Sequence, residues 1–245
     1  MPQHAKTIAV VMLHPLCDMH CPFCITENSM NTMSFEQASD LIESLKKKGF
    51  ESVVFGGGEP LLWKFNCFAL AEKAEELGLL VQLGTNGVCL PDDFLSLSSI
   101  HRYVLPLDAM DEGLHNTLRT SSKNHWSIVL RRMFELKFSS QSITTSTVVT
   151  RKNIQALDGI AQFLEEFNRE ANPIHAWHLY KFFPIGRGGR LHAKELSVNE
   201  SECEATCNRI KNSGLSFPVY KRKDMFQSRS VDFFWIERGK LRAGS

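Results

Sequence analysis

The sequence predicts an α/β fold: a partial (β/α)6 TIM-like barrel, one domain with a short C-terminal extension. Three observations carry that expectation. Runs with buried-strand character alternate with stretches of helical apolar spacing along nearly the whole chain, and such alternation requires parallel strands joined by crossover helices. No repeat, low-complexity tract or Pro/Gly-rich linker divides the chain. A length of 245 residues with 43% apolar content suits one large core.

Element by element, Thr7–Leu13 (TIAVVML) reads as a buried strand. Residues Phe35–Lys48 carry helical spacing behind Ser34, an N-cap with Gln37 three positions on, and Gly49 stops the helix. Ser52–Phe55 is a short strand entering Gly56-Gly57-Gly58, and Phe65–Leu77 is a helix closed by Gly78. Strands follow at Leu79–Gly84 and Arg102–Leu107, linked through Asn86-Gly87. Trp126–Lys137 is a helix, Ser142–Thr150 a Thr-rich strand, Ile154–Phe167 a helix and His175–Phe183 a sixth strand. A last unit comprises a helix at Glu200–Asn212, a strand at Phe217–Tyr220 and an edge strand at Val231–Ile236. This order puts the barrel in residues 1–190 and an extension packing on it in residues 191–245, with the working face at the loops that follow the strands.

Charge and cysteine usage narrow the function. Twenty-eight Lys and Arg against 27 Asp and Glu leave a net charge of +1, which gives no support for a nucleic acid polymer as partner. No apolar run reaches the roughly 20 residues of a membrane span. The polar start Met1–Lys6 lacks the order of a signal peptide, so the expected compartment is the cytoplasm. Seven cysteines there point to metal or redox chemistry and away from a disulfide framework.

Cys17, Cys21 and Cys24 form a C-x3-C-x2-C triplet in the loop after the first strand. Three thiolates within eight residues can each hold one iron of a cubane, leaving a fourth iron open to an incoming ligand. Zinc competes for the same thiols, with His14 or His20 as a fourth ligand, and a zinc-stabilised binding module is the alternative from another class. A simple iron-sulfur electron carrier would supply a fourth cysteine.

The triplet, with Phe23 before its last cysteine, resembles the signature of the radical S-adenosylmethionine (SAM) superfamily. That resemblance implies a 4Fe-4S cluster on Cys17, Cys21 and Cys24, with SAM chelating the open iron and cleaved reductively to a 5′-deoxyadenosyl radical. Gly57, Gly58, Glu59 and Pro60 resemble the family's GGEP motif, which implies that they hold the SAM amino group. Thr85-Asn86-Gly87 resembles its TNG turn, which places Asn86 beside SAM. The segment from Asp108 through Asp111, His115 and Leu118 resembles the family's fourth-strand region, so Arg119 is implied for the SAM carboxylate and Asp108 for the ribose or a turn cap. Pro106 departs from the serine many relatives carry. Pro184 and Ile185 fall in a segment similar to the one lying along the adenine. The resemblance covers residues 7–190.

Past residue 190 the reading rests on the residues themselves. Cys203 and Cys207 cannot complete a second cubane, and Cys67 and Cys89 read as packing residues. Lys181, Arg187, Arg190, Lys221, Arg222 and Lys223 gather in the C-terminal loops after the late strands, either as solvated charge or as a pocket for an anionic small-molecule substrate such as a nucleotide. The nucleotide reading fits viperin-like members of the family. Peptide modification is the competing enzymatic reading, disfavoured by the lack of cysteines for auxiliary clusters. A reducing electron donor such as flavodoxin or ferredoxin is the implied partner. His175 and His178 lie on opposite phases of their strand, so one at most faces the barrel.

Overall fold

The computed structural model describes residues 7–222, 228 and 230–244. The chain runs β1 (Ile8–Met12), β2 (Met30–Asn31), α1 (Phe35–Lys47), β3 (Ser52–Gly56), α2 (Cys67–Glu76), β4 (Leu80–Gly84), β5 (Arg102–Pro106), α3 (Glu112–Leu118) and α4 (His125–Leu136). It continues through β6 (Ser142–Val149), α5 (Leu157–Asn168), β7 (Ile174–Lys181), the short α6 (Gly186–Gly189) and α7 (Ala193–Leu196), α8 (Glu200–Lys211), β8 (Val219–Arg222), β9 (Val231–Glu237) and β10 (Lys240–Gly244).

One sheet carries the order β10-β9-β1-β3-β4-β5-β6-β7-β8, with β2 paired to β9. From β1 to β8 every neighbouring pair is parallel and the order never reverses. Right-handed crossovers in an unreversed order put all the connecting helices on one face, so the sheet curls into a partial barrel with its other face concave. The helix-side core joins Val11 of the first strand and Leu13 just after it to Phe55, Leu83, Leu105, Trp177 and Leu179 of later strands. Alternation then assigns the intervening residues of each strand to the concave face.

Local sequence accounts for the ends of the elements. Ser34 Oγ accepts the Gln37 N–H at 3.1 Å while Gln37 Oε1 accepts the Ser34 N–H at 2.9 Å, the capping box that starts α1. Asn66 caps α2, which therefore begins at Cys67 and not at Phe65. The sequence reading passed over α3, a short turn of mixed polarity capped by Asp111.

The strand expected at the sheet's edge, Val231–Ile236, is an interior one. As β9 it pairs in parallel with β1 and antiparallel with β10. Its run Val231-Asp-Phe-Phe-Trp-Ile has large apolar residues in both phases, so either face can be covered; Phe234 packs edge-on to Phe50 at 5.8 Å. Arg238 and Gly239, both at positive φ, make the two-residue turn into β10. The strands of the extension thus join the barrel's own sheet, β9 and β10 at its β1 end and β8 at its β7 end. Among the described residues no helix is long and apolar enough to cross a membrane.

Candidate active site

The loop after β1 carries Cys17, Cys21 and Cys24 as half-buried free thiols. Phe23 fixes it from below, packing in a small apolar cluster with Leu118, Phe182 and Leu196. His20 adds a main-chain bond from its N–H to the Thr120 carbonyl at 2.8 Å. Burial pushes the Cys17 thiol up to about 12 and raises Cys21 as well, so thiolate formation there calls for a cation at the sulfur.

Two glycine turns grip this loop by direct backbone approach. On one side a Cβ on Gly58 would stand 1.8 Å from the Leu16 carbonyl oxygen, and one on Gly57, where φ is +131°, would stand 2.5 Å from the His14 oxygen. The Gly58 and Glu59 N–H groups donate to the His14 and Leu16 carbonyls, each at 2.7 Å. On the other side Gly188 donates to the Cys24 carbonyl at 3.0 Å, and a Cβ there would meet the Cys21 oxygen at 2.5 Å. Only residues without a side chain allow both contacts.

Above the strand ends a polar network ties four loops together. Glu59 is buried, and its carboxylate accepts from Thr85 Oγ1 at 2.6 Å, the Asn86 N–H at 2.7 Å and the Leu61 N–H at 3.3 Å. Burial raises its carboxyl to about 7 against the pull of those donors. Asn86 Nδ2 in turn donates to Asp18 Oδ1 of the cysteine loop at 2.7 Å. Asp108 accepts Arg119 Nε on Oδ2 at 2.5 Å and the Val148 N–H on Oδ1 at 2.7 Å, while Asn153 Nδ2 holds its carbonyl at 2.9 Å. Arg119 lies over the Phe23 ring at 4.7 Å. Burial works against its charge, but Asp108 and Cys21 overcome that and hold the guanidinium above its ordinary value.

A pair of buried histidines closes the network. The Asp108 N–H donates to His115 Nδ1 at 3.2 Å, His115 Nε2 lies 2.8 Å from His125 Nδ1, and His125 Nε2 lies 2.9 Å from the Asn86 carbonyl. The main-chain donor at one end and acceptor at the other fix both rings as the neutral Nε2–H tautomer. Burial agrees, driving both to about 3. His14 is similarly directed: Nε2 donates to the Glu59 carbonyl at 2.7 Å, leaving Nδ1 buried with no partner among the described residues.

Most of the residues singled out from sequence for cluster and SAM therefore meet at one place, and their positions differ from expectation in detail. Pro60 begins a 3-10 turn over Pro60–Leu62. Pro184 and Ile185 precede the glycine turn against the cysteine loop, Pro184 exposed and Ile185 half-buried. The sequence reading missed Asp18 and His125, neither of which stands in a motif of its own, and Cys89, read there as a packing residue, has its thiol 3.7 Å from Asp18 Oδ2.

The expected cation cluster is not one cluster. Lys181 pairs with Glu200, and Lys221 contacts Asn208 and lies 3.7 Å from Glu204, so both point to α8 on the helix side. Arg187 donates to the Pro15 carbonyl at 2.7 Å and Arg190 pairs with Glu27, both against the cysteine loop. Strand alternation separates the lysines from the concave face. Lys223 lies outside the described residues.

The donor set fits a cubane better than a mononuclear ion. Three cysteines within eight residues of one loop can each take one iron of a cubane, whereas a tetrahedral ion would need a fourth ligand brought to the same point. The glycine turns and the free His14 Nδ1 add backbone access and an unused acceptor beside the loop.

Fold and site together define a parallel partial barrel with a three-cysteine loop at its working face, and the family comparison says which: the Radical SAM superfamily matches residues 11–164, well over half of the chain. The chain belongs to that superfamily, whose cofactors are a 4Fe-4S cluster and SAM. An S-adenosylmethionine-dependent nucleotide dehydratase of Flammeovirga pacifica is 25% identical over 209 residues, 79% of this chain and 68% of that protein. An AdoMet-dependent heme synthase of Oleidesulfovibrio alaskensis is 24% identical over 76% of this chain and 48% of its own length. Among solved structures, Streptococcus suis SuiB matches with a TM-score of 0.72 at 16% identity, over 91% of this chain and 50% of SuiB, a likeness of fold alone. The chain thus spans about half the length of the heme synthase and of SuiB.

Proposed function

We propose that this chain is a radical SAM enzyme that abstracts hydrogen from a small anionic substrate, with a nucleotide the first candidate. The observation that carries the reading is the three-cysteine loop clamped between two glycine turns and tied through Asn86 and Asp18 to the Asp108·Arg119 pair. Cys17, Cys21 and Cys24 would hold three irons and leave the fourth for SAM. When bound, the two cofactors supply a 5′-deoxyadenosyl radical by one-electron reductive cleavage of the sulfonium. The chain's own residues bind and orient. Arg119 offers its guanidinium, already charged and fixed by Asp108, to a carboxylate. The buried carboxylate of Glu59 holds the glycine and TNG turns in register and favours an ammonium nearby. The histidine pair keeps the turns after β4 and β5 at a fixed spacing without carrying charge.

The relatives support the substrate class: one is named for nucleotide dehydration and another, from Sulfurisphaera tokodaii, as a probable GTP 3′,8-cyclase. A reducing protein such as flavodoxin or ferredoxin would deliver the electron. The test is a panel of sugar-deuterated nucleoside triphosphates, sugar nucleotides and short peptides under anaerobic reduction. The reading predicts faster 5′-deoxyadenosine formation with a nucleotide and deuterium from its sugar in that product. Acceleration by peptides alone would overturn it.

A further inference from the structure

The strands β7 and β8 turn a second set of side chains toward the barrel interior, apart from the cysteine and glycine loops. Leu179, Lys181, Val219 and Lys221 go to the helix side, into the core or onto α8. Alternation leaves His178, Tyr180, Tyr220 and Arg222 on the concave face. Their mutual contacts agree: the His178 ring is 5.4 Å from Tyr220 and 5.9 Å from Tyr180, its Nδ1 is 3.2 Å from the Tyr180 hydroxyl, and the Arg222 guanidinium is 5.4 Å from the Tyr220 ring centroid.

Register relates this cluster to the cofactor end. Val148 pairs with Tyr180 and Tyr180 with Arg222, while Asp108 Oδ1 accepts the Val148 N–H. One level of the barrel therefore runs Asp108, Val148, Tyr180, Arg222 across three strand spacings, about 14 Å along the sheet at about 4.8 Å each. Arg119 stands at one end and Arg222 at the other. Tyr220 is 43% exposed and offers a ring face beside the guanidinium. Burial holds His178 down at about 3, so Arg222 is the cation of this cluster at neutral pH.

We infer that Arg222, with the rings of Tyr180 and Tyr220, is the anion-binding end of the substrate site, taking a phosphate or carboxylate of the substrate on its planar fork while a planar group rests on tyrosine. The inference rests on the radical reading above. Of the late cations it singles out Arg222, whose strand phase is opposite to that of Lys181 and Lys221. Arginine suits the task because its two parallel N–H donors match the oxygens of either anion, and the charge persists at every physiological pH.

The test compares neighbours one residue apart. Cluster-loaded protein and its Arg222→Gln, Arg222→Lys and Lys221→Gln variants, matched for iron content and far-UV circular dichroism, are titrated by anaerobic calorimetry with CTP, inorganic tripolyphosphate and citrate. CTP and tripolyphosphate are expected to bind the parent. Arg222→Gln should weaken both about 10- to 100-fold, the span of a charge-assisted hydrogen bond, and Arg222→Lys should fall between. Lys221→Gln should stay within about twofold. Binding of citrate in place of the phosphates, with the same dependence on Arg222, supports the anion site and makes the substrate a carboxylate. Equal losses in Arg222→Gln and Lys221→Gln, or no binding of any probe by the parent, would overturn the inference. Reductive SAM cleavage by the parent without substrate is scored separately, so failure of the radical reading shows there and not in the titrations.

Discussion

Replacing Gly58 by alanine should detach the cysteine loop from the barrel, and the structure sets the scale. The added methyl would stand 1.8 Å from the Leu16 oxygen and 2.4 Å from its carbon, both main chain, where real contacts begin near 3.0 Å. The two segments must part by about 1.2 Å, and no side chain can swing aside to absorb it. The bonds from Gly58 to the His14 carbonyl and from Glu59 to the Leu16 carbonyl are 2.7 Å and cannot survive that displacement. Two such bonds contribute about 1–3 kcal/mol together, roughly a 5- to 150-fold loss in the population of the gripped loop. Gly56 is the matched control, because a Cβ there meets nothing within 4 Å among the described residues. After anaerobic reconstitution, iron and sulfide per chain should drop steeply in Gly58→Ala and hold at the parent level in Gly56→Ala. Full iron in Gly58→Ala, or equal loss in both, would refute the argument that backbone proximity holds the loop.

Glu59 and the histidine pair supply two further predictions. The Glu59 carboxyl is raised from 4.5 to about 7 in the folded chain, so its contribution to stability is full below pH 4.5 and is lost as pH rises through 7. Between pH 5 and pH 8 the parent should lose about 2.5 kcal/mol relative to Glu59→Gln in urea titrations; parallel curves would contradict the assignment. His125→Leu removes the link from His115 to the Asn86 carbonyl and leaves two buried polar groups unpaired, at a cost of about 2–5 kcal/mol. SAM affinity in that variant should fall at least tenfold, with iron content retained when the reconstituted protein is assayed below its unfolding midpoint. Unchanged SAM affinity would remove the pair from any role in positioning.

How much of this was legible in the sequence depends on the range over which each signal acts. β1 and the strands from β3 to β7 announce themselves because a strand covered on one face by helices needs apolar residues in a fixed phase, and the capping box of α1 is written in Ser34 and Gln37. β2 and β10 carry no such signal; they exist because β9 offers them main-chain partners. The residues proposed for the cluster and SAM could be singled out because the chemistry assigned to them depends on close spacing within single loops. The substrate end was not. Lys221 and Arg222 are indistinguishable as adjacent cations in a sequence, and a one-residue phase set by pairing with Leu179 and Tyr180 decides which of them faces the interior. The histidine pair is likewise a product of tertiary contact, since His125 reaches Asn86 from 39 residues away.

The central claim, that Cys17, Cys21 and Cys24 hold a 4Fe-4S cluster at which SAM is cleaved, is tested most directly by one paired measurement. Anaerobically reconstituted protein, and a variant with all three cysteines changed to alanine, are each incubated with dithionite and SAM and assayed for iron, sulfide, methionine and 5′-deoxyadenosine. The account predicts about four irons and four sulfides per chain and equal yields of the two products in the parent, with iron, sulfide and both products lost in the variant. Iron and sulfide retained by the variant, or a fully loaded parent that forms no 5′-deoxyadenosine, would contradict it.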